Sequence, residues 1–366
     1  METLELSKKV GPTVVEFAGA PYERGCNYGD KCREKIGRMV DTFLGLYAND
    51  FKESKDQVLR DARKYQPYLE DYSAEIWEEI RGIATGSERS TDEILMLAAN
   101  YELYEARCFG AIPRGCTSFA VAGEATTDGT IMIGQSWDDF VAWWWNGQSG
   151  HVLKIGRKTG PDVMAWSLPG YTGCAGFNSN GVSIVWNSLH CEESQVGIPT
   201  YAIVREIMQQ KTIGDALGAV ERAKRRAEAF NFVVADGNGE LYDIESTPSA
   251  IDYQYGENLL YHANHFCNIK VADDKIVPAL PDTLVRCNRI GKLLKSKMGS
   301  LNLETIQEFY KDHVNYPNSI CKHPPEGADP YAAKTHTVMI IEPATREFWV
   351  TNGNACESPY YRYALE

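Results

Sequence analysis

A cysteine that directly follows a glycine begins the stretch of this chain in which the residue types most clearly suggest chemistry. Cys116 opens a compact run of small and apolar residues, and Asp138 lies at the far end of the next apolar run, 130–137. Asp128 and Gly129 stand just before that second run, and an Asp-Gly pair between apolar runs predicts a β-hairpin. Antiparallel pairing would bring Asp138 back beside Cys116. The sequence therefore predicts a thiol and a carboxylate at one end of a hairpin.

Two interpretations of Cys116 are open at this point. Free cysteine is among the most buried residue types, so a small hydrophobe in the core is the usual outcome for a lone cysteine. A thiol can also attack a carbonyl carbon and hold the acyl group as a thioester. Asp138 on the same hairpin favours the nucleophile, although the pair alone is weak evidence.

Six short motifs follow one another in the order found in one known family of enzymes. They are Pro21-Tyr22-Glu23-Arg24-Gly25 with Gly29, Glu79-Ile80-Arg81-Gly82-Ile83-Ala84, Gly115-Cys116-Thr117, Gly176-Phe177-Asn178-Ser179-Asn180-Gly181-Val182, His262-Ala263-Asn264-His265 and Asn315-Tyr316-Pro317-Asn318-Ser319-Ile320-Cys321. With these motifs the chain resembles, along nearly its whole length, the isopenicillin N acyltransferase family. This family, that of acyl-coenzyme A:6-aminopenicillanic acid acyltransferase, belongs to the N-terminal nucleophile cysteine hydrolases. Each motif alone is modest evidence, but the set in the right order is strong.

The resemblance implies a processing step, a site residue and a fold. Members of that family are made as inactive precursors and cut themselves on the amino side of the cysteine, so the implied cleavage site lies between Gly115 and Cys116. The asparagine that stabilises the oxyanion in that family corresponds to Asn264. The implied fold is the four-layer αββα sandwich of N-terminal nucleophile hydrolases. The alternating blocks of strands and helices, taken without the resemblance, indicate only an α+β protein.

A cysteine that becomes the first residue of a chain carries its own general base. A free α-amine has a pKa of about 7.7–8.0 and a thiol one of about 8.5, so the two can exchange a proton near neutral pH. We assign Asp138 to orienting the new amine and the side-chain NH₂ of Asn264 to stabilising the oxyanion. The glycine at 115 lets the backbone adopt the conformations that the attack requires. Each assignment has an alternative: Gly115 is only a loop residue, Asp138 is a surface or capping carboxylate, and Asn264 bonds to nearby backbone.

Tryptophans surround Asp138 in sequence. Trp137 precedes it, and Trp143 and Trp144 follow closely. We predict that these three line a pocket for an acyl or aromatic substrate, with a place in the core as the alternative.

No metal site and no cofactor are predicted. His262 and His265 are three residues apart without a third ligand in reach by sequence, so we expect them to be structural. The ten cysteines contain no C-x-x-C pair, which leaves neither a zinc motif nor a redox motif.

Composition counts against two classes of partner. A net charge of −13 and a pI of about 5.1 disfavour nucleic acid and anionic membrane surfaces, which attract basic proteins. The start of the chain lacks an apolar core of signal-peptide length, and no run of about 18 apolar residues occurs. We therefore expect a cytoplasmic protein with mostly reduced cysteines. The resemblance implies a small-molecule amide substrate. The oligomeric state is left open.

The chain divides into a helical first part and a mixed second part. Helices are predicted at 22–50, 73–84 and 90–106, the last with Ser90 and Glu93 as a capping box. After Cys116, strands predominate. We expect residues 1–115 to form a mainly helical small subunit and 116–366 the catalytic large subunit, both within one αββα domain.

The leading interpretation is a self-processing cysteine amidohydrolase that cleaves an N-acyl or N-aminoacyl amide through a Cys116 thioester. The alternatives are an acyl-coenzyme A-dependent N-acyltransferase and a non-catalytic binding protein on the same fold. Ala333-Lys334 stands where the resembled acyltransferase carries a Ser-Arg pair, and Phe230 where many relatives carry a smaller residue. These departures count against penicillin chemistry.

Overall fold

Two stacked β-sheets with helices on both outer sides make up the part of the chain that the structure describes. It is a computed structural model, and it describes residues 10–108, 115–141, 150–270, 276–325, 327–328 and 332–366.

Within these ranges there are twelve α-helices, seven of them before Cys116. In chain order they are α1 (Pro21–Lys31), α2 (Arg33–Asp50), α3 (Lys55–Arg63), α4 (Gln66–Tyr72), α5 (Ala74–Ser87), α6 (Thr91–Ala98), α7 (Asn100–Cys108), α8 (Thr200–Met208), α9 (Ile213–Arg222), α10 (Ile276–Ala279), α11 (Asp282–Ser296) and α12 (Leu303–Phe309). Ser90 and Glu93 form the predicted capping box, in which each side chain accepts a hydrogen bond from the backbone N–H of the other residue.

The described strands number fourteen and form two sheets. They are β1 (Val14–Gly19), β2 (Gly115–Gly123), β3 (Gly129–Phe140), β4 (His151–Arg157), β5 (Val163–Ser167), β6 (Ala175–Asn178), β7 (Ser183–Ser188), β8 (Phe230–Ala235), β9 (Leu241–Ser246), β10 (Ile251–Tyr255), β11 (Leu259–His262), β12 (Ala333–Glu342), β13 (Glu347–Thr351) and β14 (Tyr360–Ala364). Sheet A has the order β1-β4-β5-β6-β7-β8-β9-β10, and sheet B has the order β11-β2-β3-β12-β13-β14. Only β1 and β4 pair in parallel among these strands.

The central strands of sheet B are buried on both faces, and their side chains divide between two cores. On β2, Ala120 and Ala122 belong to the core shared with sheet A, whereas Phe119 and Val121 belong to the core shared with α11 and α12. The strands β3 and β12 repeat this alternation. Successive side chains of a strand point to opposite faces, so burial on both sides requires a nearly continuous apolar run.

The inner faces of the two sheets are joined by hydrogen bonds as well as apolar contacts. The backbone N–H of Trp186 on β7 donates to Gln135 Oε1 on β3 at 2.7 Å. The neighbouring Asn187 Nδ2 donates to Ser118 Oγ on β2 at 2.6 Å. The two sheets therefore form the middle layers of the molecule.

Helices cover the outer face of each sheet. On sheet A, the ring of Tyr28 from α1 stacks on Phe17 of β1 with centroids 4.9 Å apart. On sheet B, the ring of Tyr310, just after α12, contacts Phe119 at 6.0 Å. The layer order is thus helices, sheet A, sheet B, helices, and the predicted four-layer αββα arrangement of the α+β class is confirmed.

The helices α1 and α5 pack unusually closely because each presents two glycines four residues apart. A Cβ on Gly25 would lie 2.2 Å from the carbonyl oxygen of Glu79, and one on Gly86 would lie 2.1 Å from that of Cys26. Gly29 and Gly82 meet backbone atoms at similarly short distances. Any larger side chain here would force the two helices apart.

The described segment before Cys116 and the segment after it form one body. β1 extends sheet A by pairing with β4. A buried charge network also joins the two segments. Arg24 and Arg205 both contact Glu79 Oε2, at 2.5 and 3.1 Å, and Arg157 contacts Glu75 Oε1 at 2.9 Å.

Some predicted boundaries are wrong. The helix predicted at 22–50 is two helices that meet at Cys32, and the helix predicted at 90–106 is interrupted at Ala99. The strand β14 was not predicted. Apolar spacing continues across both helix breaks, so periodicity alone does not reveal a change of direction that tertiary packing imposes. Among the described helices, none combines the length and apolar composition that crossing a bilayer requires.

Candidate active site

The predicted hairpin is present as β2 and β3. Its register places Gly115 opposite Asp138 and Cys116 opposite Trp137. By the alternation of a strand, the Cys116 side chain projects toward sheet A, as Ala120 does, whereas Asp138 projects toward the α11 side. The thiol and the carboxylate are therefore at one end of the hairpin, as predicted, but on opposite faces of sheet B.

Cys116 is enclosed, with 7% of its surface exposed. Its backbone N–H donates to Asn264 Oδ1 at 2.9 Å, and its carbonyl oxygen accepts from Arg286 Nη1 at 2.5 Å. Burial raises the pKa of the Cys116 thiol well above its usual range, the Asp138 carboxylate raises it further, and Arg286 opposes both effects. In the uncleaved chain the thiol is therefore protonated at neutral pH, and attack by its sulfur requires a group that takes the proton.

Asn264, just after β11, is held by contacts at both ends of its side-chain amide. Its Oδ1 accepts hydrogen bonds from the Cys116 N–H and from Arg286 Nη2, at 2.9 and 2.8 Å. Its Nδ2 donates to the carbonyl oxygen and the hydroxyl of Ser188 at the end of β7, at 3.0 and 3.1 Å. Two donors at one end and two acceptors at the other determine which way the amide faces. Asn264 therefore presents its carbonyl, not its NH₂, to the backbone of Cys116.

Arg286 on α11 is fully buried beneath the start of β2. Besides the Cys116 carbonyl, its Nη1 contacts Thr117 Oγ1 at 3.0 Å, and its Nε donates to Asp282 Oδ2 at 2.7 Å. A planar guanidinium presents its donors in a fixed fork, so one side chain can orient Cys116, Asn264 and Asp282 together.

Asp138 has one paired and one unpaired oxygen. Its Oδ1 accepts a hydrogen bond from Thr335 Oγ1 at 2.7 Å, whereas Oδ2 is buried and has no hydrogen-bond partner among the described residues. Burial raises the pKa of Asp138 to about 6, against the opposing effects of Lys322 and Arg286. Buried carboxylate oxygens are almost always hydrogen-bonded, so the unpaired Oδ2 marks Asp138 as a candidate functional group.

Lys322 and Asp282 complete the charged group beneath the strand ends. Lys322 Nζ donates to Asp282 Oδ2 at 2.9 Å, and both side chains are buried. Burial and the nearby Arg286 lower the pKa of Lys322. Burial opposes the ionisation of Asp282, but Arg286 and Lys322 outweigh it and hold the pKa of that carboxyl below its usual value. Two cations and one ionised carboxylate thus surround Asp138, which explains why burial raises its pKa only moderately.

Trp137 lies opposite Cys116 and is 5% exposed. Its ring contacts those of Trp166 and Trp186, with centroids 5.2 and 5.3 Å away. It is therefore part of the aromatic core between the sheets, beside the predicted nucleophile. Its predicted contact with substrate stays a prediction. Trp143 and Trp144 lie outside the described residues.

His262 and His265, which we expected to be structural, make ordinary polar contacts. His262 Nε2 is 3.0 Å from Glu245 Oε1, and its Nδ1 is 2.8 Å from the carbonyl oxygen of Ala263. His265 Nδ1 is 3.0 Å from Thr283 Oγ1. The structure also brings Cys267 within ligand distance of each histidine, so the lack of a third ligand, on which the expectation rested, does not hold. The structural role of the two histidines stays a prediction.

A surface cleft of about 390 Å³ opens beside the charged group. It is lined in part by Pro281, Asp282 and Asn318. A larger cleft, of about 500 Å³, lies at β1 and the helices α1 and α2, and Cys116 does not line it. We therefore do not assign the larger cleft to the candidate active site.

Sequence reasoning missed Arg286, Asp282, Lys322, Thr335 and Ser188. Asp282 and Arg286 are four residues apart on a helix, a spacing usual for solvent-exposed ion pairs, so their burial is not evident from the sequence. Lys322 follows directly after the last motif that carries the family resemblance, and this position was the available indication that it belongs to the site. The other two are ordinary polar residues near strand ends.

Asn264, Arg286 and Asp138 come from three separate elements and converge on the two residues Gly115 and Cys116. Together they hold the peptide nitrogen, polarise the Cys116 carbonyl and leave a carboxylate oxygen unpaired. Such an arrangement can orient Cys116 and the peptide bond that precedes it.

Comparisons with known proteins relate the chain to an acyltransferase family. A family model described as acyl-coenzyme A:6-aminopenicillanic acid acyl-transferase matches residues 163–356. A protein of Emericella nidulans named acyl-coenzyme A:6-aminopenicillanic-acid-acyltransferase 40 kDa form is 28% identical over 321 residues, which are 86% of this chain and 85% of that protein.

Two solved structures match part of this chain at low identity, with TM-scores below 0.5. A mutant conjugated bile acid hydrolase from Clostridium perfringens has a TM-score of 0.46 and 12% identity, covering 68% of this chain and 97% of its own. Penicillin V acylase from Agrobacterium tumefaciens has a TM-score of 0.43 and 12% identity, covering 68% of this chain and 86% of its own.

Proposed function

Since this chain belongs to the acyl-coenzyme A:6-aminopenicillanic acid acyl-transferase family, we propose that it is a self-processing cysteine amidohydrolase with Cys116 as its nucleophile. It is an enzyme that acts on amide carbon–nitrogen bonds and hydrolyses or transfers acyl amides. This sets aside the alternative of a non-catalytic binding protein. The proposed substrate is a small N-acyl or N-aminoacyl amide.

In the proposed maturation step, the sulfur of Cys116 attacks the carbonyl carbon of Gly115. A carbon–sulfur bond forms, the carbon–nitrogen bond to Cys116 breaks, and the freed nitrogen takes up the proton that the thiol has lost. Water then hydrolyses the thioester, which releases the Gly115 carboxylate and restores the thiol. Asp138 lies on the other face of sheet B from the thiol, so we assign it to orienting and charging the new α-amine rather than to taking the proton of the thiol.

In the proposed turnover, the same thiol attacks the acyl carbon of the substrate. The amine leaves with a proton, and water hydrolyses the resulting thioester. Asn264 Oδ1, which accepts from the backbone N–H of Cys116, would keep the new α-amine oriented. Its Nδ2 donates to Ser188 in the uncleaved chain, so its role toward the oxyanion requires the substrate oxygen to replace one of the Ser188 acceptors.

The observation that carries this proposal is the convergence of buried polar groups on Cys116 and the glycine before it. Asn264 contacts the nitrogen of Cys116, Arg286 contacts its carbonyl oxygen, and Asp138 keeps an unpaired oxygen beside Gly115. A purely structural cysteine needs none of these groups, and burying them is costly. The position of Trp137 opposite Cys116 supports its proposed contact with substrate.

The two proposed products of cleavage, 1–115 and 116–366, would stay together as small and large subunits of one domain. β1 pairs with β4 along its whole length, and Glu79 lies buried between Arg24 of one fragment and Arg205 of the other. Breaking a buried ion pair leaves an uncompensated charge and costs about 3–5 kcal/mol. Separation should therefore require denaturation.

The proposed compartment is the cytoplasm. All ten cysteines lie in the described residues, and none is in a disulfide. Thiols stay reduced in that compartment.

Acyl transfer from a coenzyme A thioester is the second candidate, and the name of the Emericella nidulans relative favours it. Both candidates pass through the same Cys116 thioester and differ in whether water or an amine accepts the acyl group. Incubation with labelled acyl-coenzyme A, with and without an added amine, distinguishes them. Label on Cys116 that moves to the amine supports transfer, whereas absence of labelling beside release of amine from N-acyl amides supports hydrolysis.

The proposed function is tested first by intact-mass measurement under denaturing conditions. In proportion to 115 and 251 of 366 residues, the 40.9 kDa chain should divide into pieces of about 13 and 28 kDa whose masses sum to the full chain plus one water. A full-length species that is active without being cut would overturn self-processing.

Two substitutions then separate cleavage from turnover. Cys116→Ala should abolish both, because alanine offers no nucleophile. Cys116→Ser should keep some cleavage but little activity, because an intramolecular attack gains an effective molarity on the order of 10⁵ M or more that compensates for a poorer nucleophile. Release of amine from a panel of N-acyl amides measures turnover. An alanine variant that turns over substrate would remove Cys116 from the mechanism, and one that is still cut would assign the cut to an external protease.

A further inference from the structure

Four side chains of the kinds that bind transition metals meet at a single point near the end of sheet B. They are His313, Cys321, His323 and Cys356, and their ligand atoms all lie within 4.8 Å of one another. The first three come from the segment between α12 and β12, and Cys356 comes from the segment between β13 and β14. We propose that these four residues bind one Zn²⁺ ion as a closed, tetrahedral Cys₂His₂ site.

Four of the six distances among the ligand atoms are within about 0.3 Å of those that a zinc ion imposes. Zinc binds sulfur at about 2.3 Å and imidazole nitrogen at about 2.0–2.1 Å, so a tetrahedron has edges of about 3.3 Å between nitrogens, 3.5 Å between nitrogen and sulfur and 3.8 Å between sulfurs. Here the two Nε2 atoms are 3.1 Å apart, and the two Sγ atoms are 3.5 Å apart. His323 Nε2 is 3.5 Å from Cys321 Sγ and 3.4 Å from Cys356 Sγ.

Neighbouring groups orient these ligands in the manner usual for metal sites. Asn354 Nδ2 lies 3.5 Å from Cys321 Sγ, where its N–H can stabilise a thiolate. His323 Nδ1 faces Glu357 Oε1 at 3.9 Å, which favours a proton on Nδ1 and leaves Nε2 for the metal. The ring of Tyr316 packs on His323, with centroids 5.8 Å apart. These contacts limit the rotation of the side chains that would hold the ion.

Charge and access also fit a zinc ion. Binding displaces one proton from each thiol, so a Zn²⁺ ion, two thiolates and two neutral imidazoles form a group with no net charge. Cys321 is buried, which disfavours an isolated thiolate, whereas His313 and Cys356 are exposed and give the ion a route from solvent. With four protein ligands no position is open for water, so the site is structural rather than catalytic.

The site would stabilise the segment that carries Lys322 into the candidate active site. Lys322 stands between the ligands Cys321 and His323, and its backbone N–H donates to Thr335 Oγ1 at 2.9 Å. Its carbonyl oxygen accepts from Asn354 Nδ2 at 2.7 Å. Thr335 in turn donates to Asp138. The zinc proposal rests on the ligand geometry alone and does not depend on Cys116 as a nucleophile.

Metal analysis of the intact protein, purified without chelators and in a non-chelating reductant, tests the proposal. We expect about one zinc per chain in the wild type. Cys356→Ser and, independently, His313→Ala should each lower the zinc content by about tenfold or more. Both residues are exposed, so the fold should tolerate their replacement. Cys267→Ser and His265→Ala are the matched controls, because these two lie in a different group of potential ligands, near Cys287, and should leave the zinc content unchanged.

Spectroscopy gives a second readout that does not depend on activity. Replacement of the bound metal by Co²⁺ should produce the visible absorption of tetrahedral cobalt with a thiolate charge-transfer band, and Cys356→Ser should lose both. A chelator should lower the unfolding temperature of the wild type but not that of Cys356→Ser. A protein that stays metal-free with reduced thiols in added Zn²⁺ would overturn the proposal. It would also be overturned by a disulfide between Cys321 and Cys356, detected as a mass two hydrogens lower, or by zinc that is lost from Cys267→Ser but kept by Cys356→Ser.

Discussion

The unpaired oxygen of Asp138 faces the α-carbon of Gly115, and a Cβ at that glycine would lie 3.1 Å from Asp138 Oδ2. The two residues are cross-strand partners at the end of the hairpin, so the register of β2 and β3 maintains this approach. A carboxylate is thus buried, incompletely hydrogen-bonded and next to the proposed cleavage site. Such a group destabilises the fold when it is ionised, so its pKa affects how the free energy of unfolding depends on pH.

The first prediction concerns pH. The pKa of Asp138 is raised from 3.8 to about 6, so between these values the folded chain binds more protons than the unfolded chain. The stability contributed by this group therefore falls as pH rises from about 4 to about 6. In the uncleaved Cys116→Ala background, adding Asp138→Asn should flatten this dependence and raise stability at pH 7 by on the order of 2–3 kcal/mol.

Urea unfolding of the single and double variants from pH 4 to 7.5 measures this effect. Asp128→Asn is the control, because Asp128 lies at the other end of the same hairpin, is exposed and has a pKa below its usual value. That control should not stabilise the protein. Equal stabilities of the single and double variants at pH 7 would show that Asp138 is not held in the unfavourable ionised state that burial implies.

The second prediction concerns Asn264. Asn264→Ala should lower kcat by about 100- to 1,000-fold, as expected when an oxyanion donor is lost. Some loss of stability should accompany it, about 1–3 kcal/mol, because the Cys116 N–H and Arg286 lose their acceptor. Amine release and urea unfolding, measured on the same preparation, separate the two effects. A kcat within a few-fold of wild type in a folded protein would show that the role is misassigned.

The matched control for Asn264 is Asn258. Its side-chain oxygen also accepts a backbone hydrogen bond, from Glu124, but at the opposite end of β2. Asn258→Ala should cost a little stability and leave kcat unchanged. If the two substitutions lowered kcat equally, both would act by loosening the hairpin, and Asn264 would have no specific role.

The third prediction concerns Arg286, which the sequence did not indicate. Arg286→Lys keeps the positive charge but cannot contact the Cys116 carbonyl, Asn264 and Asp282 together, because an ammonium lacks the planar fork. Self-cleavage should slow by about 100-fold or more if this residue orients the groups that act on the peptide bond. Arg289→Lys, one turn away on α11 and paired with Asp312 at the surface, should cleave at the wild-type rate. Mass spectra taken over time after synthesis provide the rates, and an Arg286→Lys variant as fast as Arg289→Lys would exclude this role.

The fourth prediction concerns the packing of α1 on α5. Gly82→Ala would place a Cβ 2.2 Å from the carbonyl oxygen of Tyr22, and backbone atoms cannot yield easily. We expect a loss of about 1–3 kcal/mol or more in the free energy of unfolding. Gly45→Ala on α2 has no heavy atom within 4 Å of the new Cβ, and alanine is the better helix former, so it should gain about 0.5–1 kcal/mol. Opposite signs in urea unfolding support the close packing, and equal gains would contradict it.

Much of the local structure could be predicted because it depends on residues that are neighbours in the chain. The hairpin of β2 and β3, the capping box at Ser90 and the change from a helical first part to a strand-rich second part follow from short-range patterns and appear as predicted. The breaks at Cys32 and Ala99 do not, since the apolar spacing is continuous there and only packing decides the direction of each helix.

The sequence by itself determined the identity of Cys116, Asp138 and Asn264 as candidates and the end of the hairpin at which the first two meet. Only the tertiary structure decided that they project to opposite faces of sheet B, that Asn264 turns its carbonyl to Cys116, and that Arg286 joins them. It also brought Cys356 to the other three proposed zinc ligands, from a segment more than thirty residues away. The physical reason is that a buried charge or a metal ligand is stabilised by its neighbours in space. Those neighbours come from distant parts of the chain, so residue spacing does not reveal them.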